Sequence, residues 1–170
     1  FTNLGSDSRR FALKTIDLVR TSVGLLDDLR NGDDIPFSPE WAERAGRTLQ
    51  RAEQKVGSDL RQEIASKVKG LYVIVDPEVT QERPVLEVAE AALAGGASVI
   101  QLRDKVGDSG DVLPAARELK SACEQVGALF IMNDDAALGV ASGAHGVHLG
   151  QTDLPTPEAR RIALPAQIIG

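Results

Sequence analysis

A single cysteine, Cys123, stands in the whole chain, so no internal disulfide can form. No apolar run approaches the roughly 18 residues needed to span a membrane. Cations are in the minority: 19 Lys and Arg against 25 Asp and Glu leave a net charge of −6 and an isoelectric point near 5.0. A broad nucleic-acid surface needs clustered positive charge, so this balance argues against one, and any phosphate binding must be local. The expectation is a cytoplasmic protein with neither membrane nor nucleic-acid partners. Methionine is also scarce. The chain opens at Phe1, its one methionine is Met132, and no targeting pattern precedes the first helix, so residue 1 is expected not to be the translation start. What remains is ordinary for a globular protein: 170 residues, 42% hydrophobic and 26% charged, suit one domain or one domain with an appendage.

Residues 6–29 carry Ala12, Ile16, Val19, Val23, Leu26 and Leu29 at spacings of three and four, one face of a helix that Asn31-Gly32 should stop. A second helix opens at Ser38-Pro39-Glu40, an N-cap followed by proline at the first helical position. Its stripe is Trp41, Ala45, Leu49, Ala52, Val56, Leu60 and Ile64. Residues 1–66 therefore read as a helical hairpin, possibly the tail of an upstream domain. Two helices cannot bury both faces alone, so packing or dimerisation is the default role.

From Lys69-Gly70 the period changes. Short runs rich in Val and Ile occupy 71–75, 98–102, 128–132, 146–149 and 167–169, with helical stretches at 84–93, 112–126, 135–141 and 156–162 between them. Strands apolar on both faces and alternating with helices imply a parallel sheet built from right-handed crossovers. Each run ends in polar residues: Asp76, then Arg103 and Lys105, then Asn133, Asp134 and Asp135, then His148, Gln151 and Asp153. Asp76-Pro77-Glu78 stands where a dinucleotide-binding glycine loop would follow the first strand. A ring of strands converges all its carboxyl ends on one site, so these positions favour a barrel over an open doubly wound sheet.

The residue types suggest a metal-bound diphosphate. Asp134 and Asp153 are hard oxygen ligands of the kind that hold Mg²⁺ with few protein contacts. Arg103 offers a planar fork matched to phosphate, and Lys105 a mobile charge beside it. The paired donors and acceptors of Gln101 and Asn133 suit a heterocycle edge or a phosphate oxygen. Structural readings compete: Arg103 could pair with Asp134, and Asn133-Asp134 could cap the following helix. His145 reads as a loop residue, His148 as a hydrogen-bonded structural or catalytic group, Cys123 as packing, and Gly95-Gly96 as a turn.

Taken in order, "LYVIVD" at 71–76, "QLRDK" at 101–105, "ND" at 133–134 and "GVHLGQTDLP" at 146–155 closely resemble thiamine phosphate synthase. That family is a (β/α)₈ barrel that joins hydroxymethylpyrimidine diphosphate to a thiazole phosphate and releases diphosphate with Mg²⁺. The resemblance implies that Gln101 contacts the pyrimidine, that Arg103, Lys105 and Asn133 serve the diphosphate, and that Asp134 and Asp153 hold the metal. It places Gln151 among the substrate-binding residues and makes Arg103, Lys105 and Asn133 the catalytic set. Residues 70–170 would then be the amino-terminal half of such a barrel, behind the helical hairpin.

A closed barrel of this type takes eight strands and about 200 residues or more. Four strands and the start of a fifth are present. The family's Ser/Thr-rich loop, later lysine and glycine-rich thiazole-phosphate loops do not follow. The expectation is a fragment or the ordered part of a longer chain, or a homo-oligomer or complementing chain that completes the barrel. Two alternatives are a thiazole tautomerase-like relative, against which the six residues of the cradle argue, and a non-catalytic scaffold.

Overall fold

The computed structural model describes residues 5–29 and 38–170. By its internal contacts the chain divides into two compact units, Phe1–Arg61 and Gln62–Gly170. The division falls inside the second helix rather than at its end.

The first unit holds α1 (Ser6–Asp28) and most of α2 (Pro39–Ser66). The Ser38 hydroxyl accepts the Trp41 amide at 3.3 Å, so the start of α2 is the serine cap with proline in the first turn. Arg20 donates to Asp17 on its own helix and to Glu53 on α2, tying the two helices together. Asn31 and Gly32, the expected helix stop, lie outside the described residues. The apolar stripe expected on α1 is only partly covered. Ala12, Ile16, Val23 and Leu26 are half-buried, but Val19 and Leu29 are exposed and no α1 residue is fully buried. A single neighbouring helix covers a narrower seam than a full amphipathic face.

The second unit is an α/β layer: β1 (Leu71–Val75), α3 (Val85–Ala94), β2 (Ala97–Leu102), α4 (Ser109–Val126), β3 (Leu129–Asn133), α5 (Ala136–Ala141), β4 (Gly146–His148), α6 (Thr156–Ile162) and β5 (Ile168–Ile169). All neighbouring strands are parallel and their order is β1-β2-β3-β4-β5. Helix α4 begins at Ser109, earlier than residue 112, and carries Pro114 in its second turn. Gly127 ends that helix in the left-handed conformation, φ 74°.

The strands alternate as a sheet covered on both faces requires. Val75, Ile100, Leu102, Phe130 and Met132 pack with Leu93 of α3 and Val112, Leu119 and Cys123 of α4. On the other face Val99, Leu129 and Ile131 pack with Ile64, Ala166 and Ile168. Cys123 is fully buried, and burial pushes its thiol up to about 11, so it packs as an inert apolar group. The edge of this second face is less covered: Ile74 of β1 remains about half exposed. No helix among the described residues is long and apolar enough to cross a membrane.

Gly146 lets β4 approach β5. A Cβ there would stand 2.4 Å from Cγ1 and 2.7 Å from the carbonyl oxygen of Ile168, and backbone cannot yield as a side chain can. Gly146→Ala should therefore destabilise the second unit by about 1–3 kcal/mol. The check is a denaturant titration, in which an unshifted midpoint would contradict this close approach.

Candidate active site at the carboxyl ends of the strands

Side chains two apart on a strand share a face. Val99 and Gln101 therefore point the same way on β2, as do Leu129, Ile131 and Asn133 on β3. Tyr72 of β1 shares that face. Gln101 is 3% exposed, so both ends of its amide need partners. They have them: the Tyr72 hydroxyl donates to Gln101 Oε1 at 2.5 Å, and Gln101 Nε2 donates to Asn133 Oδ1 at 2.5 Å. One polar chain thus crosses three strands, from the start of β1 to the carboxyl ends of β2 and β3.

Beyond it, two charged pairs join neighbouring strand ends, one between β1 and β2 and one between β2 and β3. The Arg103 amide donates to the Val75 carbonyl at 2.9 Å, extending the β1–β2 ladder by one residue and aiming the Arg103 side chain at Asp76. The guanidinium donates to Asp76, which is 5% exposed and also accepts the Glu78 amide at 2.9 Å. Lys105 donates to Asp134. The backbone at Asp134 is left-handed, φ 62°, and its amide donates to the His148 carbonyl at 2.7 Å. Few residues other than glycine tolerate that conformation, and Asp is one of them. Asp153 is anchored by the Gly150 amide at 2.6 Å, and its carboxyl interacts with that of Asp134.

These contacts set the charge of Asp134. Burial by itself raises its pKa, but hydrogen bonding to Lys105, the interaction with Asp153 and the nearby Lys105 and His148 charges bring it below the ordinary value. Two carboxylates side by side repel unless a cation lies close, and Lys105 is that cation in this arrangement. Among the described residues no group of three or more His, Cys, Asp or Glu is placed to hold a metal. A pair of carboxylates still fits Mg²⁺, which usually takes one or two from the protein and fills its remaining positions with water and phosphate oxygens.

The contacts form three separate groups at this edge: Gln101 with Asn133, Lys105 with Asp134 and its neighbour Asp153, and Arg103 with Asp76. Gln151 is exposed in the turn after β4 and is tied to none of them by a hydrogen bond. The possible pairing of Arg103 with Asp134 is replaced by Arg103 with Asp76 and Lys105 with Asp134, because the Arg103 backbone is held against β1. The helix cap is Asp135, which accepts the Leu138 amide at 2.8 Å, and not Asn133-Asp134. His145 Nδ1 accepts the Phe130 amide at 2.9 Å, so that ring supports the sheet. His148 is exposed beside Asp134. Sequence reasoning did not single out Tyr72 or assign a role to Asp76. The one signal available for Tyr72 was position: it lies on the face whose next strand carries Gln101.

Because its folded pKa is depressed, Asp134 contributes stability above its unfolded value of about 3.9 and loses it as the pH falls through the folded value. In Lys105→Met the largest single influence left is burial, so the Asp134 carboxyl should titrate at higher pH than in the parent, as followed by carboxyl-carbon NMR. An unmoved or lower value would contradict the pairing.

Residues 71–170 match the family model described as thiamine monophosphate synthase. The thiamine-phosphate synthase of Thioalkalivibrio sulfidiphilus is 46% identical over 108 residues, covering 64% of this chain and 51% of that protein. That of Methanoculleus marisnigri is 48% identical over 100 residues, covering 59% and 47%. The solved thiamine phosphate pyrophosphorylase from Pyrococcus furiosus superposes with a TM-score of 0.56 at 36% identity, over 61% of this chain and 49% of that one. The chain spans about half the length of the curated relatives it matches. With a family match over more than half its residues, this chain belongs to the thiamine monophosphate synthase family.

Proposed function

We propose that residues 71–170 form the pyrimidine-diphosphate side of a thiamine phosphate synthase active site, within a (β/α)₈ barrel of which this sequence carries about the first half. The observation that carries the reading is the run of charged groups at one sheet edge: Arg103, Lys105, Asp134 and Asp153 on successive strand ends, next to the amides of Gln101 and Asn133. The consecutive strand order, with no reversal, supports a barrel over an open sheet, because an open doubly wound sheet reverses its order at its binding site. The partly exposed inner face agrees, with an apolar cavity of about 300 Å³ along Tyr72, Ile131, Val147 and Ile168. In this reading the remaining strands, from the same polypeptide or from a complementing copy, close over that face and bring the thiazole phosphate loops.

The residue types suit a dissociative transfer. An electron-rich aminopyrimidine can release diphosphate from its methylene carbon, with the C–O electron pair leaving on the diphosphate. The thiazole nitrogen then gives its lone pair to the same carbon, forming the C–N bond and becoming a thiazolium. No strong base is needed. Gln101 holds the pyrimidine edge, Gln151 adds a substrate contact from the loop after β4, and Asn133, Arg103 and Lys105 bind and neutralise the diphosphate. Asp134 and Asp153 would hold Mg²⁺, which supplies further positive charge to the leaving group. Asp76 keeps the Arg103 fork from swinging into solvent. The product would be thiamine phosphate, and the reaction a step of thiamine biosynthesis.

In the protein that carries these residues, Arg103→Ala should lower turnover at least about tenfold, since a charged hydrogen bond of roughly 1.5–3 kcal/mol is lost. Arg103→Lys, which keeps the charge beside buried Asp76 but not the fork, should recover only part of it. Steady-state kinetics with pyrimidine diphosphate and thiazole phosphate decide the matter, and unchanged turnover in both variants would remove Arg103 from the site.

A further inference from the structure

We propose that Tyr72 is a positioning residue: by donating to Gln101 it fixes which way the Gln101 and Asn133 amides face, so that Asn133 turns its amino group toward the diphosphate. The inference rests on the functional reading above and adds a residue to it.

An amide side chain can be rotated by half a turn with little change of shape, exchanging its oxygen for its nitrogen. Something else must choose the orientation. Here the chain of bonds runs in one direction: Tyr72 hydroxyl to Gln101 Oε1, then Gln101 Nε2 to Asn133 Oδ1. With Oδ1 occupied by Gln101, the hydrogens on Asn133 Nδ2 are left for a ligand. Reversing the relay would do the opposite. Gln101 would turn its oxygen toward Asn133, Asn133 would donate inward, and Oδ1 would face the diphosphate, one acceptor against another.

Tyr72 is suited to start the relay as the donor. Its oxygen is a weak acceptor because a lone pair is drawn into the ring. Burial raises the phenol's pKa, so it keeps its proton throughout the physiological range. Of the groups lining the cavity beside it, Ile131, Val147 and Ile168 offer no side-chain acceptor, and the hydroxyl hydrogen goes to Gln101 rather than to His148, which lines the same cavity. Gln101 is buried too deeply for water to satisfy a vacated Oε1 freely. Removing the hydroxyl therefore leaves Gln101 without a directing partner, and both orientations become populated.

The test is a double-mutant cycle on the affinity of Mg²⁺ and inorganic diphosphate, measured calorimetrically on the protein that carries these residues. Tyr72→Phe keeps the ring and should weaken diphosphate binding about tenfold, equivalent to about 1.4 kcal/mol, in a protein that still folds but has a lowered thermal midpoint, because the buried Gln101 Oε1 loses its donor. In an Asn133→Ala background the same Tyr72→Phe change should cost less than twofold, because the group it orients is gone. A merely structural tyrosine would weaken binding equally in both backgrounds. Full-strength binding by Tyr72→Phe, or an undiminished loss in the Asn133→Ala background, overturns the relay. Absence of diphosphate binding by the parent protein instead removes the functional reading and the relay with it.

Discussion

The parallel ladder from β1 to β5, taken in chain order, is the constraint on which the rest depends. Parallel pairing sends every carboxyl end the same way, and consecutive order makes neighbours in sequence neighbours in space. Residues separated by about 30 positions, such as Tyr72, Gln101 and Asn133, are thereby brought within hydrogen-bonding reach. An antiparallel or reordered sheet made of the same segments would place them on opposite edges. The apolar content of the strands serves this geometry, since both faces of β2 and β3 are packed.

On that scaffold, the tips divide into two kinds of polar interaction. Nearest the sheet, neutral groups form a directed chain that satisfies a buried amide. Farther out, cations and carboxylates pair while staying partly exposed: Arg103 and Lys105 each retain two-fifths or more of their side-chain surface in solvent. The inner layer is rigid because an unsatisfied buried amide is costly. Of the outer pairs, Lys105 with Asp134 can exchange partners, because a partly solvated ion pair holds its geometry only weakly, whereas Asp76 is buried against Arg103. A pair such as Lys105 with Asp134 can therefore open for an incoming anion and cation without disturbing the fold beneath.

Much of this was legible in the sequence. The strand and helix alternation after Gly70 followed from apolar runs interrupted by turn residues, and the polar residues at the ends of those runs marked one edge. The pairing of charges was not legible. Whether Arg103 meets Asp76 or Asp134 depends on one backbone hydrogen bond, from the Arg103 amide to Val75, that no pattern of residue types encodes. Tyr72 was hidden for a similar reason: a tyrosine in an apolar strand looks like packing until the register sets its hydroxyl against Gln101. On α1 the periodicity gave the helix but overstated its buried face, because periodicity reports which side is apolar and not how wide its neighbour is.

The left-handed backbone at Asp134 narrows what that position can become. Side chains branched at the β-carbon are strained there, leaving mainly glycine, asparagine and aspartate. Of these, aspartate alone is charged. Shape and chemistry thus converge on one residue: a change that preserves the turn without preserving aspartate discharges the site, while one that restores a carboxylate through glutamate must bend the chain. In the proposed site, such a position has almost no neutral path between binding and its loss.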